Sequence, residues 1–396
     1  MNLLSYIKGD KTLWVIAIIL ALFSMMPGYS ASSNIAFMYG SSSTFSMLAK
    51  HAIHLCLGFI LMYAAHNISY KHYGAISVIL MPVVIILLAY TLLNGHAVAN
   101  ASRWIRIPFL GWTFQTSAFA SVVLMMYISR YLAKTGAEKL KSFKSTFVPL
   151  MLPIFAVCGL ILPSNFSTAG LVFSIAMIVL FIGGYPIKNL LLILGGGIAT
   201  LGVFILLSMA FPKQITSRAT TWVSRIQDFG SGDKTENYQV HKAKLAIAEG
   251  NYFGKGPGKS VQKNFLPQSN SDFIYAVIVE EFGILGGVSL IFFYILFLIR
   301  ILVISTKAQS KFGTLLAIGA GLGIMFQAFV NLGVAVNLLP VTGQTLPLIS
   351  AGGSSIWMTC IAIGIILSVS RGNEIDDLEE NPKTNENLPQ TDLAHA

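Results

Sequence analysis

Ten long apolar segments follow one another along the chain, separated by short polar stretches. About twenty helical residues cross the hydrocarbon core of a bilayer, so each segment is predicted to be a membrane-spanning helix. An even number places both termini on one side. The segments lie near 13–30, 46–66, 74–93, 113–133, 147–163, 169–186, 190–211, 272–304, 313–337 and 354–370.

The eighth segment, 272–304, is too long for one straight crossing. We expect its first part to be partly exposed and to be loosened from the rest by three glycines, because glycine weakens a helix and kinks it. These glycines are Gly283, Gly286 and Gly287.

Composition supports the same fold class. Hydrophobic residues make up 55% of the 396, charged residues only 11%, and the mean hydropathy is +0.71. Soluble domains carry roughly a quarter charged residues. We therefore predict an all-α integral membrane protein with about ten transmembrane helices. A polytopic domain covers 1–371, including one long extracytoplasmic loop at 212–271, and a disordered acidic cytoplasmic tail covers 372–396.

Lysine and arginine in the short loops are concentrated on one side of the predicted membrane. By the positive-inside rule that side is cytoplasmic, so both termini are placed in the cytoplasm. The net charge of +10 is thus a topology signal, and nucleic-acid binding is disfavoured because the cations do not form one compact patch. The cytoplasmic cations are Lys8, Lys11, Lys71, Lys134, Lys139, Lys141, Lys144, Lys188, Lys307, Lys311 and Arg371.

Acidic residues restrict where chemistry can occur. Of sixteen, seven lie in the tail, and Asp10 and Glu138 lie among cytoplasmic lysines as ordinary loop charges. Ion-coupled transporters usually place acids near the bilayer midplane, and outside the eighth span this chain has none there, which disfavours transport. The seven remaining acids are Asp228, Asp233, Glu236, Glu249, Asp272, Glu280 and Glu281.

Asp272 stands immediately before the apolar run of the eighth span. Partial desolvation there suits a general base. The alternative is helix capping, because Ser269 and Asp272 have capping-box spacing. Glu280 lies two turns further along, and Glu281 points nearly opposite. Both need a basic partner or a polar cavity inside an apolar run.

The glycine-rich stretch 254–260 contains Gly-Lys-Ser but lacks the earlier glycine of a P-loop, since Phe253 occupies that position. We interpret it as a tight turn whose backbone donors and lysines could approach a phosphate, or as a plain turn. His51 and His54 share a helix face without a third ligand, so no metal site is predicted. No cofactor motif is evident, and a divalent cation such as Mg²⁺ is the one cofactor left open.

Two motifs resemble the signature of the SEDS proteins, the FtsW, RodA and SpoVE polymerases of bacterial cell-wall synthesis. The first comprises 254–263, Leu266-Pro267, 272–275 and 280–283. The second comprises 340–347 followed by 350–355. Weaker matches stand at 103–105, 115–117, 165–169 and 238–239, so the resemblance covers nearly the whole chain except the tail.

The resemblance implies a peptidoglycan glycosyltransferase in the bacterial cytoplasmic (inner) membrane that polymerises lipid II and releases undecaprenyl pyrophosphate. It places the catalytic aspartate at Asp272. Arg103, Lys255 and Lys263 are the predicted substrate-binding cations, with Glu280 beside them and Arg218 and Arg225 behind them. Implied partners are a class B penicillin-binding protein transpeptidase, contacted through glycine-rich faces of spans seven and nine, and other division proteins.

Several positions depart from the family pattern. Ala118 and Ser121 replace a usual Glu and Lys, Ala351 replaces a usual Tyr, and 268–271 differ from the usual Glu-Ala-His-Thr. The stretch 165–169 is closer to FtsW than to RodA, which favours a role in cell division over elongation and cell shape. The competing hypotheses are a lipid II flippase and a non-catalytic scaffold for a transpeptidase.

Overall fold

The computed structural model describes residues 8–39, 44–98, 101–106, 112–210, 238–266 and 269–380. Its architecture is a helical bundle with one small sheet. The helices are α1 (Lys11–Tyr39), α2 (Thr44–Asn67), α3 (Tyr70–Asn94), α4 (Thr116–Lys134), α5 (Ala137–Lys141), α6 (Phe143–Thr146), α7 (Leu152–Ile161), α8 (Phe166–Ile182), α9 (Ile187–Ala210), α10 (Tyr238–Glu249), α11 (Ile274–Lys307), α12 (Lys311–Ala335) and α13 (Ser354–Glu380).

The predicted all-α membrane fold is confirmed, and an apolar helix lies at each of the ten predicted positions. Within the described residues, eight helical stretches are long and apolar enough to cross a membrane, one of them formed by α6, the π-helical turn Phe147–Met151 and α7 together. Two shorter apolar stretches, Phe166–Ile182 and Ile187–Val203, account for the other two spans.

The two ends of the described chain meet at one end of the bundle. The Gly9 N–H donates to Oε2 of Glu374 at 2.9 Å. Arg300, near the end of α11, binds the buried Asp10 carboxylate through Nε at 3.0 Å and through Nη2. Asp10 is therefore a buried ion-pair partner rather than an ordinary loop charge. We call this end the terminal face, and the opposite end, which carries residues 238–266 and 269–273, the loop face.

Helix α13 continues past residue 372, the predicted start of the tail, and ends at Glu380. Asn373 is buried and its Nδ2 donates to the Ile304 carbonyl at 3.1 Å, which holds this turn of the helix against α11. Residues 381–396 lie outside the described part of the chain.

A three-stranded antiparallel sheet, which was not predicted, lies between α3 and α4. Its strands are β1 (His96–Val98), β2 (Ala101–Arg106) and β3 (Thr113–Gln115), in the order β1-β2-β3. Trp104 of β2 pairs with His96 on one side and Gln115 on the other. The Gln115 N–H donates to Ser354 Oγ at 2.9 Å, which attaches the sheet to the start of α13 at the loop face.

The predicted break in the long eighth span is confirmed at Gly283, which has φ 70° and ψ −175°. This is a conformation that essentially only glycine adopts. It divides α11 into a short first segment, 274–282, and a long membrane-spanning second segment. The prediction that the first part is partly exposed is wrong, because residues 274–281 are all buried.

Candidate active site at the loop face

Asp272 lies in the turn 269–273, which leads into α11. Only 8% of the residue is exposed. The helix begins at Ile274, and its N-cap position is Phe273, without a side-chain cap. Ser269 is therefore not an N-cap, and the capping-box alternative is wrong.

Hydrogen bonds from Asn331 and from the second motif to backbone carbonyls hold this turn in place. Asn331 on α12 donates its Nδ2 to the carbonyls of Asp272 at 2.9 Å and Gln344 at 2.7 Å. Ser350 Oγ donates to the Ser271 carbonyl at 2.6 Å, and the Ala351 N–H donates to the Asn270 carbonyl at 3.0 Å. The two motifs, which residues 284–339 separate in the sequence, therefore form one structure around Asp272.

Residues 250–263, which we call the glycine-rich loop, enclose the Glu280 carboxylate. The N–H groups of Val261 and Gln262 donate to it at 2.8 and 3.3 Å, Ser260 Oγ also donates, and Lys255 Nζ lies at 2.8 Å. Glu280 is fully buried. The requirement for a basic partner is thus confirmed, and the backbone donors predicted to approach a phosphate bind a carboxylate of the same chain.

The loop also supplies the hydrogen-bond partners that the backbone of α11 lacks at its kink. In an unbroken helix the N–H of residue 284 bonds the carbonyl of residue 280, and 285 bonds 281. Here the N–H groups of Ile284 and Leu285 donate to the carbonyls of Asn251 and Tyr252 at 2.9 and 3.4 Å. The carbonyls of Glu280 and Glu281 instead accept from the N–H groups of residues 255 and 256, both at 2.9 Å. We call these four hydrogen bonds the kink junction.

Small residues make this close approach possible. A Cβ on Gly283 would lie 2.2 Å from the Tyr252 carbonyl oxygen, and one on Gly254 would lie 2.2 Å from the Glu281 carbonyl oxygen. The loop and the first segment of α11 therefore form one rigid unit, and that unit carries the Asp272 turn.

Lys255 is shared between two carboxylates, those of Glu249 and Glu280. Partial burial opposes its protonation, but the hydrogen bonds to both carboxylates outweigh burial and raise the pKa of the ammonium. The hydrogen bond from Lys255 lowers the pKa of Glu249. Lys255 therefore stays charged and tied to the loop.

Lys263 and Glu281 connect the loop to α1. Ser30 Oγ donates to the Glu281 carboxylate, and the Ser260 N–H donates to the same oxygen at 3.2 Å. Lys263 Nζ donates to Ser30 Oγ at 3.0 Å and to the Gly258 carbonyl at 2.8 Å. The kink junction is thus fastened to a second helix.

Arg103 lies on β2, between residues paired with β1, and so belongs to the same face of the bundle as the Asp272 turn. Arg218 and Arg225 lie outside the described residues. His51 Nε2 contacts Ser24 Oγ at 3.0 Å, and the His54 ring packs on Trp112 and Trp357. Nowhere in the described ranges do three or more His, Cys, Asp or Glu side chains group so as to hold a metal ion.

Two residues of the site were not predicted. Asn331 is a buried amide within an apolar span, and an intramembrane polar residue is itself a signal that could have identified it. Ser30 carries no such signal, because serine is common in transmembrane helices and its partner lies 251 residues away.

The Glu280 network yields a stability prediction. Glu280→Gln replaces one carboxylate oxygen by an NH₂ group that cannot accept the loop donors, and it leaves Lys255 with one partner fewer. We expect the free energy of unfolding to fall by about 3 kcal/mol, near the lower end for breaking a buried ion pair. Thermal unfolding in detergent measures this change, and faster trypsin cleavage after Lys255 or Lys259 would report release of the loop.

The matched control is Glu249→Gln, in the same network but with a side chain 33% exposed. Its cost is expected to stay below about 1 kcal/mol. Equal unfolding temperatures for the two variants would show that Glu280 does not hold the loop.

The chain matches a protein-family model and several named relatives. The family model described as "Cell cycle protein", for FtsW, RodA and SpoVE, matches residues 10–375. The "Probable peptidoglycan glycosyltransferase FtsW" of Geobacter sp. (strain M18) is 32% identical over 369 residues, 91% of this chain and 96% of that protein. The protein of the same name from Coxiella burnetii is 32% identical over 339 residues, 83% of this chain and 88% of that protein.

Solved structures share the fold. One, described as "Structural coordination of polymerization and crosslinking by a peptidoglycan synthase complex", matches with a TM-score of 0.70 at 23% identity, covering 92% of this chain and 98% of that one. Thermus thermophilus RodA matches with a TM-score of 0.65 at 24% identity, covering 92% and 97%.

Fold and site together define a polytopic membrane protein with a buried aspartate, Asp272. The turn that carries this residue is held by Asn331 and by the second motif. The family model matches nearly all of the transmembrane domain of this chain. The chain therefore belongs to the FtsW, RodA and SpoVE family.

Proposed function

We propose that this chain is a peptidoglycan glycosyltransferase that polymerises lipid II into glycan strands during cell division. The observation that carries the proposal is the buried Asp272, on a turn whose carbonyls are held by Asn331 and Ser350. A carboxylate on a backbone fixed in this way is pre-organised for proton transfer, because its position does not have to be found at the moment of reaction.

The chemistry requires one base. The Asp272 carboxylate takes the proton of a sugar hydroxyl as the oxygen attacks the anomeric carbon of a second lipid II. The bond from that carbon to the pyrophosphate oxygen breaks, and undecaprenyl pyrophosphate leaves with the electron pair. Because pyrophosphate is a good leaving group, no second carboxylic acid is needed.

Cations must hold the departing pyrophosphate. Arg103, Lys255 and Lys263, with Glu280 beside them, are the proposed substrate-binding residues. Lys255, Lys263 and Glu280 have partners within the loop, so contact with substrate by any of them requires exchange of those hydrogen bonds. Arg103 stands on a separate element, the sheet, and is the first candidate.

The proposal is tested with purified protein and lipid II, with and without a class B transpeptidase. We expect glycan chains and free undecaprenyl pyrophosphate. The flippase alternative predicts movement of lipid II across proteoliposomes with no chains formed, and the scaffold alternative predicts neither. Absence of chains in the presence of an active transpeptidase would contradict the glycosyltransferase proposal.

We propose that the terminal face is cytoplasmic and the loop face extracytoplasmic, as the lysine asymmetry predicts. The contact between Gly9 and Glu374 supports a common side for both ends. Single cysteines at 139 and 385 should react with an impermeant maleimide only after permeabilisation, whereas one at 233 should react in intact spheroplasts. Labelling of 233 from the cytoplasm alone would reverse the orientation.

We propose that the transpeptidase partner binds through transmembrane helices, principally α9. The glycines of α12 that were predicted to serve this role partly face inward, since a Cβ on Gly319 would meet Met125 and one on Gly321 would meet Ile301. On α9, Gly195 and Gly202 have open space beside them, and exposed leucines flank them. A helix can approach such a face closely.

A further inference from the structure

The tip of the glycine-rich loop presents two exposed aromatic side chains. Tyr252 is 73% exposed and Phe253 is 81% exposed, although both belong to a segment whose backbone is firmly bonded. Adjacent aromatic rings on a rigid loop are not typical of a water-facing turn, because their burial is worth a few kcal/mol.

This tip lies at the top of an apolar stripe on α11. The Tyr252 carbonyl accepts from the Leu285 N–H, so the tip is fixed beside the first residues after the kink. From there, exposed apolar side chains recur every three or four residues, the spacing of one helix face. They are Ile284, Leu285, Val288, Phe292, Ile295, Ile299 and Leu302.

The surface that covers this stripe is the bilayer. The stripe runs the length of a membrane-spanning helix, and Tyr252 and Phe253 extend it past its end at the loop face. Aromatic residues at the ends of spans typically lie at the level of the lipid headgroups.

We propose that Tyr252 and Phe253 anchor the loop in the lipid leaflet at the loop face. The interaction surface consists of these two side chains with Ile284, Leu285 and Val288, and its partner is phospholipid. Since the same loop forms the kink junction, lipid contact at the tip sets the orientation of the segment 274–282, and with it the Asp272 turn.

The test is the accessibility of a nitroxide attached at Phe253→Cys in protein lacking Cys56 and Cys158. Cys360 is fully buried and can remain. The protein is reconstituted in phosphatidylcholine–phosphatidylglycerol vesicles, and collision with oxygen, which concentrates in lipid, is compared with collision with a water-soluble nickel chelate. Val288→Cys is the lipid-facing reference. Glu138→Cys is the aqueous reference, since the Glu138 side chain is 92% exposed beside Lys141.

We expect the oxygen-to-nickel ratio at position 253 to resemble that at 288 and to exceed that at 138 several-fold, with the same result at Tyr252→Cys. An aqueous ratio at both tip positions would overturn the proposal. So would an aqueous ratio that changes only when a transpeptidase is added, because the surface would then belong to a protein partner.

Discussion

Asp272→Asn is expected to fold, to bind lipid II and to polymerise it at least about 100-fold more slowly, the usual effect of losing a general base. The amide has nearly the same size as the carboxylate but cannot take the hydroxyl proton. The hydrogen bonds that hold the turn use the carbonyls of residues 270–272, so the substitution leaves them intact. Chain formation from lipid II measures the rate, and thermal unfolding confirms the fold.

Glu138→Gln, on the short helix α5 far from the turn, is the control. This variant and Asp233→Asn should polymerise lipid II at nearly the normal rate. If a well-folded Asp272→Asn protein polymerised normally, Asp272 would have no part in proton transfer. Glu280 would then be examined next, although its carboxylate is surrounded by loop donors.

Gly283→Ala is expected to lower the free energy of unfolding by about 5 kcal/mol. A residue other than glycine at this φ and ψ costs roughly 1–3 kcal/mol. The new methyl group would also lie 2.2 Å from the Tyr252 carbonyl oxygen, so the loop must move away. Loss of the four hydrogen bonds of the kink junction adds roughly 1 kcal/mol each. The expected result is a large fall in unfolding temperature, with loss of polymerisation.

Gly323→Ala is the matched control, because Gly323 lies within helix α12 and a Cβ there has nothing within 4 Å. Alanine is the better helix former by about 1 kcal/mol, so this variant should be neutral or slightly more stable. Comparable destabilisation in both variants would show that the kink junction contributes no special stability.

The spans could be predicted from sequence because transfer of apolar side chains into lipid is a local property of each segment. The kink at Gly283 followed from glycine in an overlong apolar run. The need of Glu280 for a partner followed from the cost of burying a charge. Each of these predictions depends on a residue and its immediate neighbours.

Contacts between distant backbones could not be predicted in the same way. The kink junction pairs N–H and C=O groups, which every residue but proline possesses, so no side chain marks the partners. The continuation of α13 depends on Asn373 meeting Ile304, and the tail composition alone resembles disorder. The meeting of the two motifs around Asp272 was not predicted, because the hydrogen bonds that join them end on backbone carbonyls.

Helix α1 is fastened to α11 at two heights. Asp10 binds Arg300 at the terminal face, and Ser30 binds Glu281 at the loop face. The distance along the helix axis is about 30 Å from residue 10 to residue 30 and about the same from residue 281 to residue 300. The two attachment points are therefore equally spaced on both helices. Sliding or rotation of α11 as a whole would break both. Gly283 lies between the two attachments and the kink junction bridges it, so α1 and the glycine-rich loop together fix the height of the Asp272 turn above the terminal face.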